Sequence, residues 1–357
     1  MSARRLPGRS PHRTRAALPL RVAVAALSLL LATAVRGELP GVSPPAGAAI
    51  ALSAAPPAVE PGMPAPPAVA AAPDVWVVST RHLPHIGGVP SSATPAVERF
   101  AAGGACGRWE PADLADLLED PSRPLVLFIH GNRYDAADAK AQGLLLARRC
   151  AATRPEAAHA RTVIFSWPSS QQGILLRDSR AKYERSESEG RYLAWFLGQV
   201  APERPVAVVA YSYGALIALE ALDNLARLTQ AGRPGVTSWI DRPGRVHLVF
   251  VAAAVRQDAL APCGAYRRVT QCIDRLTLLN NSRDNALKFF EFIDPSLRTE
   301  ALGREHMPAR WLPPQVEFVQ VDATDIVGRD HRFPPYVTSP ALRKRITTGL
   351  FAGLEGE

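Results

Sequence analysis

From residue 75 onward the hydrophobic positions fall into short unbroken runs separated by longer stretches with a single apolar face, and this alternation is the dominant signal in the chain. Residues 75–80, 124–129, 162–167, 206–210, 246–253, 275–279 and 316–321 read as strands. Most of these are apolar at consecutive positions and rich in Val, Ile and Leu, the pattern of strands buried on both faces of a parallel sheet. Between them, 112–118, 136–152, 175–197, 215–228, 285–292 and 340–350 predict helices, with a break or bend in the longest near Gly190. Strands separated in this way by helices predict an α/β fold, a mostly parallel central sheet flanked by helices, in a single domain over residues 74–357.

Ahead of that domain the pattern changes twice. Residues 1–36 carry an arginine-rich start, an apolar run over 22–35 and a small-x-small cleavage candidate at Ala32-Thr33-Ala34, the build of a signal peptide. The apolar run of 14 residues is short beside the span of about 20 that a membrane helix needs. An uncleaved N-terminal anchor is the alternative reading, and either one implies export to the periplasm or the outside. Residues 37–73 are dominated by Ala, Pro and Gly, with almost no charge and no apolar period. Such a segment cannot bury enough surface to offset its ordering entropy and is expected to be a disordered linker.

Charge changes the picture less than the formal +8 suggests. Seven arginines and no acid lie in the first 36 residues, leaving 34 basic against 33 acidic residues in the remainder. The folded body is therefore nearly neutral and offers no nucleic-acid surface, and membrane proximity would come only through the N-terminal segment. The four cysteines suit an exported protein: Cys263 and Cys272 are close enough for a local disulfide, with Cys106 and Cys150 as the second pair, although other connectivities are open. No cysteine or histidine spacing suggests a metal site, and no cofactor is expected.

One junction concentrates the chemistry. The run 205–210 meets Tyr211-Ser212-Tyr213-Gly214 and passes without a break into a helix-forming stretch from Ala215, the strand–turn–helix context of a nucleophile elbow. So sharp a turn needs small residues two before and two after the nucleophile. Ala210 and Gly214 occupy those places, Ala210 standing where glycine is usual. A serine there needs a base, an orienting acid and two donors for an oxyanion, each at the C-terminal end of a strand. His130-Gly131-Asn132 closes the run 124–129, which makes the N–H groups of Asn132 and Tyr213 the oxyanion-hole candidates; His130 itself reads as a structural histidine holding that loop. Asp284, in the polar turn after the run 275–279, is the candidate acid, with helix capping as its other reading and Asp258, Asp322 and Asp325 as competitors. His331, after the last strand and before the final helix, is the candidate base. His82, His85, His159, His247 and His306 lie in less suitable places, and Trp167 and Tyr213 are expected to border the pocket.

Five stretches carry a family resemblance: Val78-Ser79-Thr80-Arg81, Phe128-Ile129-His130-Gly131-Asn132, Phe165-Ser166-Trp167-Pro168-Ser169, Ser282-Arg283-Asp284-Asn285-Ala286-Leu287 and Asp330-His331. In these, from about Val75 to the C-terminus, the chain resembles the α/β-hydrolase superfamily and, within it, bacterial serine hydrolases of the DUF900 type. Two departures are Ala210 and the Arg329-Asp330 that precede His331 where glycine is more usual. The resemblance implies hydrolase chemistry with no defined substrate. Ser212, Asp284 and His331 would act on a carboxylic ester or thioester, from a small-molecule or lipid-like substrate, through an acyl-enzyme. An acyltransferase with the same triad and a catalytically silent binding or scaffold protein of the cell envelope are the alternatives.

Overall fold

The apolar runs form the centre of a sheet in the computed structural model, which describes residues 72–85, 94–102, 107–172, 175–232, 237–293 and 299–354. All of these fall within one unit, Pro40–Glu357. The leader, nearly all of the Ala/Pro-rich segment and Cys106 lie outside the described residues. Among those described, nine strands make one sheet: β1 (Asp74–Ser79), β2 (Ala96–Ala101), β3 (Arg108–Pro111), β4 (Leu125–Ile129), β5 (Arg161–Ser166), β6 (Val206–Tyr211), β7 (Val246–Val251), β8 (Arg275–Asn280) and β9 (Glu317–Asp322). Their order is β3-β2-β1-β5-β4-β6-β7-β8-β9. The pairings of β2 with β1 and with β3 are antiparallel, and the rest are parallel. Every residue of β4 to β8 is buried, as the unbroken apolar runs require.

Two strands escape the sequence pattern. In β2, Glu98 and Arg99 interrupt any alternation, because this antiparallel edge is partly open to water. Side chains rather than a hydrophobic run hold it: the Phe100 and Trp109 rings meet with centroids 5.2 Å apart, and Lys140 pairs with Glu98 while lying over Trp109.

The helices are α1 (Leu114–Leu118), α2 (Ala136–Ala151), α3 (Leu175–Leu197), α4 (Tyr213–Gln230), α5 (Thr324–Val327), α6 (Pro334–Thr338) and α7 (Pro340–Phe351). The predicted helix over 285–292 is instead a 3-10 helix at Leu287–Phe292. The chain moves one way along the sheet from β4 to β5 and the other way from β6 to β7. Right-handed crossovers therefore place α2 and α4 on opposite faces. The reversal leaves a crevice beyond the C-terminal ends of β4 and β6, the usual ligand position in an open α/β sheet.

Contrary to the break expected near Gly190, α3 runs unbroken from Leu175 to Leu197. The glycine serves contact instead: a Cβ there would stand 2.2 Å from Glu220 Cβ and 3.2 Å from the Ala221 nitrogen, so its absence lets α3 lie directly on α4. At the far end of the sheet the short helix α1 is closed by two buried cations. Arg161 donates to the carbonyls of Asp116, Leu117 and Glu119, and Arg204 to those of Arg123, Leu117 and Leu118. Carbonyls that a helix C-terminus leaves unpaired thus receive charged donors.

The expected Cys263–Cys272 bridge is not formed. Cys263 is exposed and free, while Cys150 and Cys272 are buried thiols, which burial pushes up to about 12. The loop around Cys263 is closed by its own backbone, Gly264 N–H donating to Ala261 O and Tyr266 N–H to Ala259 O. Among the described residues no helix is long and apolar enough to cross a membrane.

The α3–α4 contact gives a direct test. Alanine is ordinarily the better helix former by about 1 kcal/mol, yet Gly190→Ala should lower the unfolding free energy by roughly 1–3 kcal/mol through overpacking. Urea denaturation midpoints measure this; an unchanged or raised midpoint would contradict the packing argument.

Candidate active site

The end of β6 carries one of the non-glycine residues that the fold holds at positive φ. Ser212 has φ 54° and ψ −119°, a conformation that costs roughly 1–3 kcal/mol and persists only where its surroundings dictate it. Here they do. Its N–H donates to Val251 O at 3.0 Å, and its carbonyl accepts from Ala215 N and Ala254 N, both at 3.1 Å. Gly214 is required two residues on, since a Cβ there would sit 2.2 Å from the Ile129 carbonyl oxygen. Ala210 is tolerated on the other side as a fully buried methyl between β4 and β7.

The structure brings together the three residues on which the sequence argument converged. His331 Nδ1 lies 2.6 Å from Asp284 Oδ2 and Nε2 lies 3.0 Å from Ser212 Oγ. With Nδ1–H donated to the carboxylate, Nε2 presents its lone pair and the serine hydroxyl donates to it. Asp284 also fulfils its capping reading, because its second oxygen accepts from Ala286 N at 2.9 Å and Leu287 N at 3.0 Å. The carboxylate is fully buried, whereas the imidazole keeps an exposed edge, with side-chain exposures of 0% and 21%. The competing acids are occupied elsewhere: Asp258 pairs with Arg256, Asp322 accepts from Thr324 N, and Asp325 pairs with Arg283 at the surface.

The loop after β4 completes the site. Gly131 packs so closely that a Cβ would fall 2.9 Å from Ser212 Cβ and 2.8 Å from the Tyr211 ring, which places the next peptide beside the hydroxyl. Among the described residues neither Asn132 N–H nor Tyr213 N–H donates to a protein acceptor. Tyr213 opens α4, so its N–H is one of the helix's unpaired donors. His130 lies beneath this loop, buried and stacked between Tyr134 and Trp167. Its Nδ1 donates to Gly131 O, and Nε2 accepts from Trp167 N. Trp167 does not border the pocket as expected: it is fully buried and donates its indole N–H to the His130 carbonyl at 2.9 Å. Tyr213 is also buried, with its hydroxyl donating to Ser179 O.

Several further residues position the site. Arg81 ties three strand ends together, donating to Ser166 Oγ at 2.8 Å and to the carbonyls of Tyr134 and Asp135 at 3.1 and 2.9 Å. Ser169 accepts Arg133 N–H on its carbonyl at 2.8 Å and donates its hydroxyl to Tyr134 O. Asn281 holds the loop bearing His331 by donating to Gly328 O at 2.8 Å, and Tyr211 OH donates to the His331 carbonyl. Arg81 and Ser169 fall inside stretches that carried the family resemblance, which is the signal that pointed to them. Among the described residues no group of His, Cys, Asp and Glu could hold a metal ion.

A family model described as an alpha/beta hydrolase of unknown function (DUF900) matches residues 110–347. No curated protein matches the chain. Among solved structures, an inhibited esterase B from Lactobacillus rhamnosis is 14% identical, with a TM-score of 0.34 over 76% of this chain and 83% of that one. An esterase/lipase from an uncultured bacterium is 11% identical, with a TM-score of 0.32 over 71% of this chain and 78% of that one. At such TM-scores these likenesses add nothing to the family match.

Burial lowers the His130 imidazole from its ordinary 6.5 to about 3, the hydrogen bond to Gly131 opposing this only in part. Below about pH 6.5 the unfolded chain therefore binds a proton that the folded one refuses, so the stability this neutral histidine supplies is complete above that pH and lost as pH falls toward 3. Between roughly pH 6 and 4, His130→Gln should flatten the dependence of unfolding free energy on pH by up to about 1.4 kcal/mol per unit. Urea unfolding at a series of pH values measures this, and an unchanged slope would contradict it.

Proposed function

Because the chain belongs to the DUF900 family of α/β hydrolases, we propose that it is a serine hydrolase cleaving a carboxylic ester or thioester through an acyl-enzyme on Ser212. The observation that carries this reading is the continuous relay from Ser212 Oγ through the His331 imidazole to Asp284, at 3.0 and 2.6 Å. The nucleophile and the orienting acid each need one such hydrogen bond and the base needs both, and the three lie on loops after three different strands.

In the proposed reaction His331 Nε2 takes the Ser212 proton as Oγ attacks the acyl carbon. The buried Asp284 carboxylate holds Nδ1–H and stabilises the imidazolium that forms. The oxyanion is held by the N–H groups of Asn132 and Tyr213, with the α4 N-terminus adding a favourable field. The imidazolium then gives its proton to the departing alcohol or thiol. Water enters, loses a proton to His331, attacks the acyl-enzyme carbonyl and releases the acid, returning the proton to Ser212. The arginine-rich, apolar leader supports export, so that the domain over 74–357 would work in the periplasm or outside the cell.

A fluorophosphonate probe applied to the full chain should leave one adduct, on the peptide containing Ser212, and none in Ser212→Ala. Ester hydrolysis in Asp284→Asn should fall on the order of 10^3- to 10^4-fold in kcat, through loss of the correct imidazole tautomer. Labelling of Ser212→Ala at the parent level, or an adduct elsewhere, would sink the reading.

A further inference from the structure

The loop that bears the oxyanion donor Asn132 also carries a cation with no partner among the described residues. Arg133 is half-buried directly after Asn132, at φ +66°, held there because its N–H donates to Ser169 O at 2.8 Å and to Asn132 Oδ1 at 2.9 Å. The guanidinium, in contrast, has no hydrogen-bond acceptor or ion-pair partner among the described residues. Asp178 of α3 and the Tyr213 phenol are the groups whose charge acts on it. This stretch of α3 packs against the residue after the nucleophile: Tyr213 OH donates to Ser179 O at 3.2 Å, and the Tyr183 ring meets the Tyr213 ring edge-on at 6.2 Å.

Lys182, on the same stretch, is only 7% exposed, and its ammonium likewise has no acceptor among the described residues. Asp178 lies within Coulombic reach of both cations but pairs directly with neither. One of its carboxylate oxygens accepts from Gln172 N at 3.0 Å, and the other is buried without a donor. Two partly desolvated cations thus share one anion, an arrangement left with a surplus positive charge. Neighbouring charges do not remove that surplus. Arg81 is used by Ser166 and two carbonyls, and Arg185 is matched by Glu189. Removing cations from water without a fixed partner is costly, and a ligand anion is what would offset that cost. Guanidinium suits the role, because its planar fork matches the two oxygens of a carboxylate or phosphate.

We infer that Arg133, with Lys182 on the stretch of α3 that packs against Tyr213, receives an anionic group of the substrate, a carboxylate or phosphate carried on the same molecule as the ester that Ser212 attacks. This rests on the serine-hydrolase reading and narrows it to acidic acyl compounds. It also gives the strained Arg133 backbone a purpose: the peptide before it supplies the oxyanion donor while the side chain after it holds the far end of the ligand.

The test compares kcat/KM for the 4-nitrophenyl monoesters of succinate, glutarate and adipate, each with a free carboxylate, with kcat/KM for 4-nitrophenyl butyrate. The full chain should prefer at least one half-ester. In Arg133→Met the ratio of half-ester to butyrate should fall roughly 10- to 100-fold, the range a charge-assisted hydrogen bond supplies, mainly through KM. Arg133→Lys should recover part of it, and inorganic phosphate should inhibit half-ester cleavage competitively. An equal ratio in the parent and Arg133→Met would overturn the inference while leaving the hydrolase reading intact. Calorimetric titration of Ser212→Ala with each of the three half-esters separates the two readings in the other direction, since binding needs no nucleophile. Affinity lost on adding Arg133→Met supports the anion site even if no ester is turned over, and affinity unchanged overturns it.

Discussion

The backbone of a single residue constrains everything around it. Ser212 is held at φ 54° and ψ −119° by three hydrogen bonds to its own peptide groups, from β7 and from the residues that follow it. If that conformation relaxed, the hydroxyl would swing off the strand end and away from His331. The strain is therefore maintained by packing. Gly214 leaves room for the Ile129 carbonyl at a distance no Cβ could tolerate, and Gly131 leaves room for the Ser212 side chain. β4, β6 and α4 are locked to one another at the point where the hydroxyl emerges, and the parallel sheet supplies the rigidity that the turn exploits.

A second layer of polar contacts keeps the surrounding loops from drifting. The residues in it sit behind the proposed nucleophile, base and acid. Arg81 joins the ends of β1, β4 and β5, and the neutral His130 fills the space beneath the Gly131 peptide. Asn281 and Tyr211 fix the backbone before and at His331. Asp284 divides its two oxygens between the imidazole and the start of a 3-10 helix, so the group that orients the base is itself oriented by the backbone. Donors and acceptors fixed in this way need not reorganise when charge develops, which is where such sites gain most of their rate. Arg133 departs from the pattern, since its backbone is pinned while its guanidinium has no acceptor among the described residues.

Much of this was legible in the sequence because it depends on local pattern. The buried parallel strands declared themselves as unbroken apolar runs, and the elbow as a β-branched run meeting Tyr211-Ser212-Tyr213-Gly214. Their places after strand ends, in the order Ser, Asp, His, brought Asp284 and His331 into consideration, and the geometry unites them with Ser212. What stayed hidden depends on contacts distant in sequence. Gly190 looked like a helix breaker because its partner, Glu220, lies on another helix. β2 and β3 were unreadable because charged edge strands have no hydrophobic period. Trp167 looked like a pocket residue because a strand end gives no hint of which way an indole turns; here it turns inward to the His130 carbonyl. The cysteine spacing at 263 and 272 suggested a bridge, but one thiol is exposed and the other buried.

On the proposed mechanism the strained serine, the base and the two backbone donors converge on one point. The measurement that tests it most directly is a crystal structure of the chain carrying a covalent alkylphosphonate, whose phosphoryl oxygen stands in for the oxyanion. Phosphorus should be bonded to Ser212 Oγ, with that oxygen about 2.7–3.1 Å from the nitrogens of both Asn132 and Tyr213. An adduct on Ser212 whose phosphoryl oxygen points to solvent, touching neither N–H, would contradict it.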